Sequence, residues 1–266
     1  MVSFVSTPIG NLGDISLRAL ETLKGADIIC CEDTRTSKIL LNHYNISGKT
    51  LLAYHKFNER ESAEKILKLA QEGKEICVIS DAGTPGISDP GGILIKLLVE
   101  SGVDYTLVPG PCALISGLVL SGFDSRNFYF TGFLPEKTSD KELLISQIIT
   151  LKSTLIFYIS PHNLKSDIEF LFKSLGDRRA CLIKEITKLH ETKVFFSLSS
   201  LPEIDSRGEF VLVVEGASEE DFSKMTIIEH VKFYINLGFG KNDAIKKVAK
   251  ERGVNKNKVY TEVLKI

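Results

Sequence analysis

The 266-residue chain lacks the sequence signatures of several common protein classes. It contains no tryptophan, and none of its five cysteines forms a C-x-x-C pair. Such cysteines are typical of core thiols in a reducing cytosol, not of a disulfide framework or a zinc site. No apolar run approaches the ~20 residues needed to cross a bilayer, and the first residues do not form a signal-peptide pattern. We therefore expect a cytoplasmic protein that holds no metal and contacts no membrane.

Three widespread active-site motifs are also absent. The sequence has no G-x-x-x-x-G-K-[ST] phosphate loop and no G-x-G-x-x-G dinucleotide fingerprint. It has no G-x-S-x-G nucleophile elbow either. These absences argue against the commonest nucleotide-binding and hydrolase designs.

Charge is nearly balanced overall but is distributed unevenly. The net charge is −1, yet residues 222–266 hold ten Lys and Arg against four Asp and Glu. A basic tail on an acidic body indicates a polyanionic partner such as RNA. A solvated helical face would produce the same composition, so both interpretations stay open.

Short β-rich runs alternate with helical patterns through most of the chain. Runs such as Ile76–Ile79 are apolar throughout, which favours strands buried on both faces of a largely parallel sheet. Asn58, with Glu61 three residues later, is predicted to cap the helix over 58–71. The lysine-rich tail has two or three helical patterns and resembles a helix-turn-helix unit. We predict an α/β fold divided into domains at 1–118, 119–220 and 221–266.

Glycine and proline concentrate in three loops, at 7–14, 80–92 and 108–113. Each loop follows a predicted strand, and such loops form the ligand crevice of an open α/β sheet. Proline fixes φ there, and glycine allows backbone amides to approach a ligand closely. The three loops together predict a shaped binding site.

Long motifs in these loops and in the second half resemble the ribosomal RNA small-subunit methyltransferase I family. The motifs are Thr7–Ile15, Glu32–Arg35, Ser80–Gly92, Pro109–Ala113, Phe130–Pro135, Phe157–His162, Glu185–Glu191 and Arg207–Val211. The resemblance implies two α/β domains of the tetrapyrrole methylase type, with S-adenosylmethionine in the cleft between them, plus a small helical C-terminal segment. It also implies a homodimer that methylates the ribose 2′-oxygen of a decoding-centre cytidine in 16S rRNA, within the small ribosomal subunit.

The resemblance also implies which residues contact the cofactor. Carried over motif by motif, they are Ile9, Asp81, Ala82, Gly83, Thr84, Ile87, Cys112, Ala113, Tyr158, Thr187 and Phe210. Cys112 stands where the family pattern has serine, and Ile159 stands where it usually has glutamate.

Methylation of a ribose hydroxyl requires a general base, or a cation that stabilises the developing alkoxide. Ionisable residues concentrate after a predicted strand in the segment Glu185–Glu191. Our hypothesis is that Lys188 or Glu185 assists the hydroxyl, although an ion-pair network closing the domain interface would use the same residues. We expect Arg35 to hold phosphate and Arg18 and Lys38 to contact RNA, unless they are solvated surface.

Two other functions remain compatible with the sequence. A methyltransferase of a tetrapyrrole or another small substrate would share the fold and the cofactor. A non-catalytic RNA-binding or ribosome-assembly module would retain the fold alone. The basic tail argues against the first alternative, and the intact glycine- and proline-rich loops argue against the second.

Overall fold

The computed structural model describes residues 1–217, 225–236 and 239–264, and its first half is a parallel α/β unit. Its sheet has the strand order β3-β2-β4-β1-β5, and every neighbouring pair is parallel. The strands are β1 (Val2–Val5), β2 (Ile28–Cys31), β3 (Thr50–Ala53), β4 (Ile76–Ile79) and β5 (Tyr105–Val108). The helices are α1 (Leu17–Gly25), α2 (Thr34–His43), α3 (Glu59–Gln71) and α4 (Gly92–Glu100). The predicted parallel sheet is confirmed.

This sheet is buried on both faces because helices cover each side. Side chains alternate along a strand, so Val2 and Phe4 pack into one apolar cluster with α3 and α4. Val5 packs into the opposite cluster with α1 and α2. The alternation explains why the strands are continuous apolar runs without a polar face.

Helices α1 and α2 begin at the carboxyl edge of the sheet with side-chain caps. The Ser16 hydroxyl accepts the Ala19 N–H at 3.1 Å, and Asp33 accepts the Arg35 N–H at 2.8 Å. Asn58 is the N-cap residue of α3, as predicted, but its side chain makes no capping hydrogen bond. Its Oδ1 instead accepts the His55 N–H at 2.8 Å, so Asn58 closes the turn before α3.

The second half contains a mixed sheet of order β6-β7-β10-β8-β9. Only β6 and β7 pair in parallel, and the other neighbours are antiparallel. The strands are β6 (Phe128–Phe133), β7 (Thr154–Ile159), β8 (Arg179–Lys184), β9 (Thr192–Ser197) and β10 (Phe210–Val214). Helices α6 (Thr138–Ile148) and α7 (Leu164–Leu175) cover one face of this sheet.

The other face of the second sheet is covered by α5 (Ala113–Ser121), a helix that the sequence pattern did not predict. Gly117 of α5 lies so close to β10 that an added Cβ would be 2.6 Å from Val211 Cγ1. The predicted domain boundary between residues 118 and 119 therefore falls inside this helix. Because α5 packs on the second sheet, we propose that the first domain boundary lies before this helix.

The lysine-rich C-terminal segment forms three helices, in agreement with its helical sequence patterns. These helices pack together around a separate apolar cluster. They are α8 (Ile227–Asn236), α9 (Lys241–Glu251) and α10 (Lys256–Val263). Val231, Ile245 and Val259 contribute one buried side chain from each helix. The predicted boundary between residues 220 and 221 lies outside the described residues. No helix in the described part of the chain is both long and apolar enough to span a membrane.

Candidate active site

The three glycine- and proline-rich loops interlock at the carboxyl edge of the first sheet. Thr7 and Gly83 exchange two backbone hydrogen bonds, of 2.9 and 3.1 Å. The Thr84 hydroxyl lies 3.0 Å from the Ser6 hydroxyl and donates to the Pro111 carbonyl at 3.3 Å. Gly83 has φ +83°, a backbone conformation that favours glycine. The loops therefore form one continuous wall.

The opposite wall comes from one edge of the second sheet. Phe210 pairs with both Ile159 and Lys184, so the start of β10 meets the carboxyl ends of β7 and β8. Tyr158 lies at this edge and is held by edge-to-face contacts with Phe130 and Phe133, whose ring centroids are 4.9 and 5.5 Å away. Aromatic and aliphatic side chains thus face the loops of the first sheet.

A cavity of about 340 Å³ lies between the two walls. Nine of the eleven residues that the family resemblance implied as cofactor contacts line it, drawn from both halves of the chain. They are Ile9, Ala82, Gly83, Thr84, Ile87, Cys112, Ala113, Tyr158 and Phe210. The tertiary structure therefore brings these separate motifs to one place. The volume of the cavity lies at the lower end of the range found for small-molecule sites.

Asp81 and Thr187, the other two predicted contacts, do not line the cavity. Asp81 Oδ1 accepts the Asp33 N–H at 3.1 Å and so ties the loop after β4 to the loop after β2. The Thr187 hydroxyl donates to Asp14 Oδ2 at 2.5 Å and links the two halves of the chain. In this structure both residues position loops instead of facing the cavity.

Backbone strain concentrates around the cavity. Within the described residues, four non-glycine residues have φ between +53° and +65°, and three of them lie in site loops: Ser88, Glu185 and Thr187. This conformation costs free energy and persists where the surrounding structure imposes it, often at functional sites. The strain supports a shaped site and argues against ordinary connecting turns.

Lys188 occupies the junction between the two halves. Its Nζ lies 3.0 Å from Glu185 Oε1 and 2.9 Å from Glu209 Oε2. Its aliphatic stem passes over Gly10, where an added Cβ would lie 2.4 Å from Lys188 Cγ. Glu209 lines the cavity, so the Lys188 ammonium group reaches the cavity only through its ion pair with the Glu209 carboxylate.

The ion-pair network determines the protonation of its members. Desolvation lowers the pKa of Lys188, but hydrogen bonds to Glu209 and Glu185 outweigh it and raise that pKa above its ordinary value. The Glu209 N–H donates to Glu185 and, together with Lys188, lowers the pKa of the Glu185 carboxyl. Lys188 is therefore a cation and Glu185 a weakly basic carboxylate, so neither suits the role of proton acceptor near pH 7.

Sequence reasoning missed the acidic side of the cavity. Asp89 and Glu209 line it, together with Ser88, Phe133, Ile159, Ser160, Pro161, Ile186 and Val211. Burial, followed by the neighbouring Glu32 carboxylate, raises the pKa of Asp89 to about 6. Asp89 lies within the motif at 80–92, but only the tertiary neighbours distinguish it from the other acidic residues.

The predicted RNA contacts lie outside the cavity, on exposed surface. Arg18 and Arg35 lie in the first turns of α1 and α2, at the same edge of the sheet as the cavity. Lys38 is exposed one turn further along α2. Arg35 pairs with Asp33 at 2.7 Å, yet its side chain is 88% exposed and accessible to a ligand.

Comparison with known proteins agrees with this geometry. The family of tetrapyrrole (corrin/porphyrin) methylases matches residues 1–202. Among solved structures, diphthine synthase superposes with a TM-score of 0.67 at 16% identity, covering 81% of this chain and 89% of that one. The methyltransferase CobJ superposes with a TM-score of 0.64 at 17% identity, covering 81% and 94%. These similarities establish the fold.

Sequence relatives are much closer. The ribosomal RNA small subunit methyltransferase I of Halalkalibacterium halodurans is 39% identical, covering 96% of this chain and 92% of the relative. The protein of the same name from Bacillus subtilis is 38% identical, covering 96% and 91%. With two α/β walls around one cavity and relatives matched over nearly their whole length, the chain belongs to the tetrapyrrole methylase family and, within it, to the ribosomal RNA small subunit methyltransferase I proteins.

Proposed function

We propose that this protein transfers a methyl group from S-adenosylmethionine to small-subunit ribosomal RNA, at the ribose 2′-oxygen of a cytidine in the decoding centre. One observation carries the proposal: nine residues from motifs spread over 200 positions line a single cavity between two α/β units. The names of the relatives support rRNA as the substrate. The ribose position and the nucleotide rest on the family resemblance alone.

The cavity fits the proposed cofactor. Ile9, Ala113 and Phe210 provide apolar surface for an adenine ring and a thioether chain. Ala113 begins α5, whose first backbone N–H groups are suited to an oxygen of the cofactor. Asp89 and Glu209 provide the negative charge that suits its cationic centres. When bound, the cofactor would supply an electrophilic methyl group.

The residues around the cavity would then position and stabilise the acceptor. An in-line approach of the ribose oxygen depends on rigid loops, which the strained backbone and the interlocked hydrogen bonds provide. We propose Lys188 as the cation that stabilises negative charge developing on that oxygen, with Glu185 holding its ammonium group in place. An alternative role for this pair is the closure of the interface between the two halves.

RNA must approach from the open side of the cavity. Arg18, Arg35 and Lys38 are exposed near that edge and could contact phosphate. Helices α9 and α10 add further exposed lysines on the C-terminal unit. We also propose a homodimer, supported by the family resemblance and by exposed apolar residues such as Leu107 and Val119. A ribosomal acceptor would place the reaction in the cytoplasm.

The experiment that tests the function offers radiolabelled S-adenosylmethionine with three acceptors: small ribosomal subunits, naked rRNA and a tetrapyrrole precursor. We expect label in the RNA, retained on a single nucleotide after digestion and located on its ribose. Label in the tetrapyrrole alone would overturn the substrate while keeping the enzyme class. Cofactor binding without any transfer would favour a non-catalytic module.

A further inference from the structure

The loop at 80–92 supplies much of the cavity wall, and its first half is held by the other two site loops. Gly83 and Thr84 make the hydrogen bonds to those loops. Residues 87–89 also line the cavity, and among them Ser88 has φ +65°. A strained conformation persists only where the surrounding structure imposes it. The second half of the loop therefore needs an anchor of its own.

Glu59, the first residue of α3, provides that anchor. Its Oε1 accepts the Gly91 N–H at 2.9 Å and the Ile93 N–H at 3.4 Å. Both N–H groups lie at the start of α4, whose N-cap residue makes no side-chain capping hydrogen bond. Gly91 is buried, and a buried N–H group without a partner costs free energy. Glu59 thus caps α4 from a neighbouring helix.

The Glu59 carboxylate is itself held in place by the first sheet. The Tyr54 hydroxyl lies 3.4 Å from the same oxygen, and Tyr54 is a fully buried residue directly after β3. Burial, followed by the Glu59 carboxylate, raises the pKa of Tyr54, so its hydroxyl keeps its proton and donates to Glu59. The turn that Asn58 closes comes directly before α3. The anchor is therefore attached to the sheet and does not move freely with the loop.

The anchor acts on the cavity through the close packing of the loop. An added Cβ at Gly91 would lie 3.0 Å from Gly86 Cα, so the two ends of the segment 86–91 are in contact. That segment contains the strained Ser88 and the cavity residues at 87–89. Glu59 does not line the cavity itself. Its influence on a ligand must therefore pass through the loop.

We propose that Glu59 is a positioning residue for the cofactor, whose carboxylate holds the loop at 80–92 in the shape that binds S-adenosylmethionine. This rests on the proposed function, because it takes the cavity as the cofactor site. The alternative is a helix cap that stabilises the fold without affecting the ligand. Only the positioning role makes cofactor affinity depend on Glu59 in a protein that remains folded.

The first test measures the affinity for S-adenosylmethionine by calorimetry, in variants whose folding is checked by circular dichroism. Glu59→Ala is expected to weaken binding about tenfold, as for the loss of a hydrogen bond to a charged group. Glu59→Gln keeps an oxygen acceptor of the same reach, so its affinity should stay within about threefold of the wild type. Glu61→Ala removes another, exposed acidic residue from the first turn of α3 and is the matched control, which should bind like the wild type.

A third variant keeps the test decisive if Glu59→Ala does not fold. Glu59→Asp retains the negative charge at the start of α3, but its side chain is one methylene shorter and does not reach α4. We expect it to bind S-adenosylmethionine more weakly than Glu59→Gln. That order would show that the hydrogen bonds to α4 matter more than the charge.

The second test separates positioning from chemistry. In methyl transfer to small ribosomal subunits, Glu59→Ala should raise the KM for S-adenosylmethionine about tenfold, while kcat at saturating cofactor stays within about twofold of the wild type. Amide hydrogen exchange should become faster at Gly91 and Ile93 in Glu59→Ala and stay unchanged in Glu61→Ala. These results together would locate the defect in the loop that binds the cofactor.

Different outcomes bear on different claims. If a folded Glu59→Ala binds S-adenosylmethionine like the wild type, Glu59 is only a structural cap and the inference fails. It also fails if Glu59→Gln loses as much affinity as Glu59→Ala, since the hydrogen bonds would then not be the cause. A wild-type protein that binds the cofactor but transfers no methyl group to RNA would overturn the proposed function and leave the role of Glu59 standing.

Discussion

At the residue scale, Lys188 and Asp89 bring opposite charges to one site: Asp89 lines the cavity, and Lys188 pairs with Glu209, which also lines it. Lys188 is held by Glu185 and Glu209, whereas Asp89 is surrounded by other acidic groups. Hydrogen bonds from the Glu209 N–H and then from Lys188 lower the pKa of Glu185, while burial and like charge raise the pKa of Asp89. Environments that move the pKa values of carboxylates apart allow them to take different chemical roles.

Replacing Lys188 tests the electrostatic role. Lys188→Ala is expected to lower the methyl-transfer rate about 10²-fold or more, since removing one stabilising donor typically costs that much. Cofactor affinity should change little, because Lys188 does not line the cavity. Lys193→Ala, an exposed lysine on β9, is the control. If Lys188→Ala and Glu185→Ala both fold and keep near-full activity, the pair does not assist catalysis. Its role would then be to close the interface between the two halves of the chain.

A buried histidine predicts how stability depends on pH. His230 is fully buried, its Nδ1 accepts from Arg252 Nε at 3.0 Å, and its Nε2 lies 3.2 Å from Glu251. Burial, followed by the Arg252 charge, lowers its pKa to about 4 from an ordinary value near 6.5. The folded state thus binds fewer protons than the unfolded state between these two pH values.

Stability should consequently fall as pH drops from about 6.5 to about 4, by up to roughly 3 kcal/mol at about 1.4 kcal/mol per pH unit. Urea unfolding followed by circular dichroism at several pH values measures this slope. His230→Gln removes the titrating group, so its unfolding free energy should depend less steeply on pH. Equal slopes in the two proteins would show that His230 does not contribute.

At the element scale, the close approach of α5 to β10 yields a steric prediction. Gly117→Ala would place a Cβ 2.6 Å from Val211 Cγ1, on a central strand that cannot move freely. We expect a loss of about 1–3 kcal/mol in the free energy of unfolding, as for other overpacked cores. Gly25→Ala at the end of α1 meets no atom within 4 Å, so it should be neutral or slightly stabilising. Chemical denaturation of both variants gives the comparison.

The helices also show how far the local sequence determines secondary structure in this protein. The helix predicted over 58–71 matches α3 to within one residue, because its ends carry local signals: acidic residues in the first turn and Gly73 just after the last. Helix α5 was missed because it is apolar on almost every side, and periodicity cannot identify a helix that lacks a polar face. Asn58 occupies the predicted N-cap position without a capping hydrogen bond, because a turn and a helix cap compete for the same side chain.

At the scale of the whole molecule, the C-terminal unit is the part whose role most needs a test. Lys250, Lys256 and Lys258 are exposed on or beside α9 and α10. If they contact phosphate, replacing all three with glutamine should weaken RNA binding and reduce the slope of log affinity against log salt by about two units. Filter binding of subunit RNA at several salt concentrations measures the slope.

The control for this prediction is a triple glutamine variant at three exposed lysines of the first unit, Lys68, Lys74 and Lys96. Its salt slope should match that of the wild type. An unchanged slope in the C-terminal variant would assign α8, α9 and α10 a packing role, for which their own apolar cluster is sufficient. A lower slope would assign them to substrate binding.

The sequence alone determined the class of the fold, the parallel first sheet and the positions of the loops that carry the site. These properties follow from local patterns, such as continuous apolar strands and the placement of glycine and proline. The tertiary structure decided the antiparallel order of the second sheet, since pairing partners are set by contacts distant in the chain. It also decided that Asp89 faces the cavity while Asp81 does not, because burial and neighbouring charge exist only once the two halves meet.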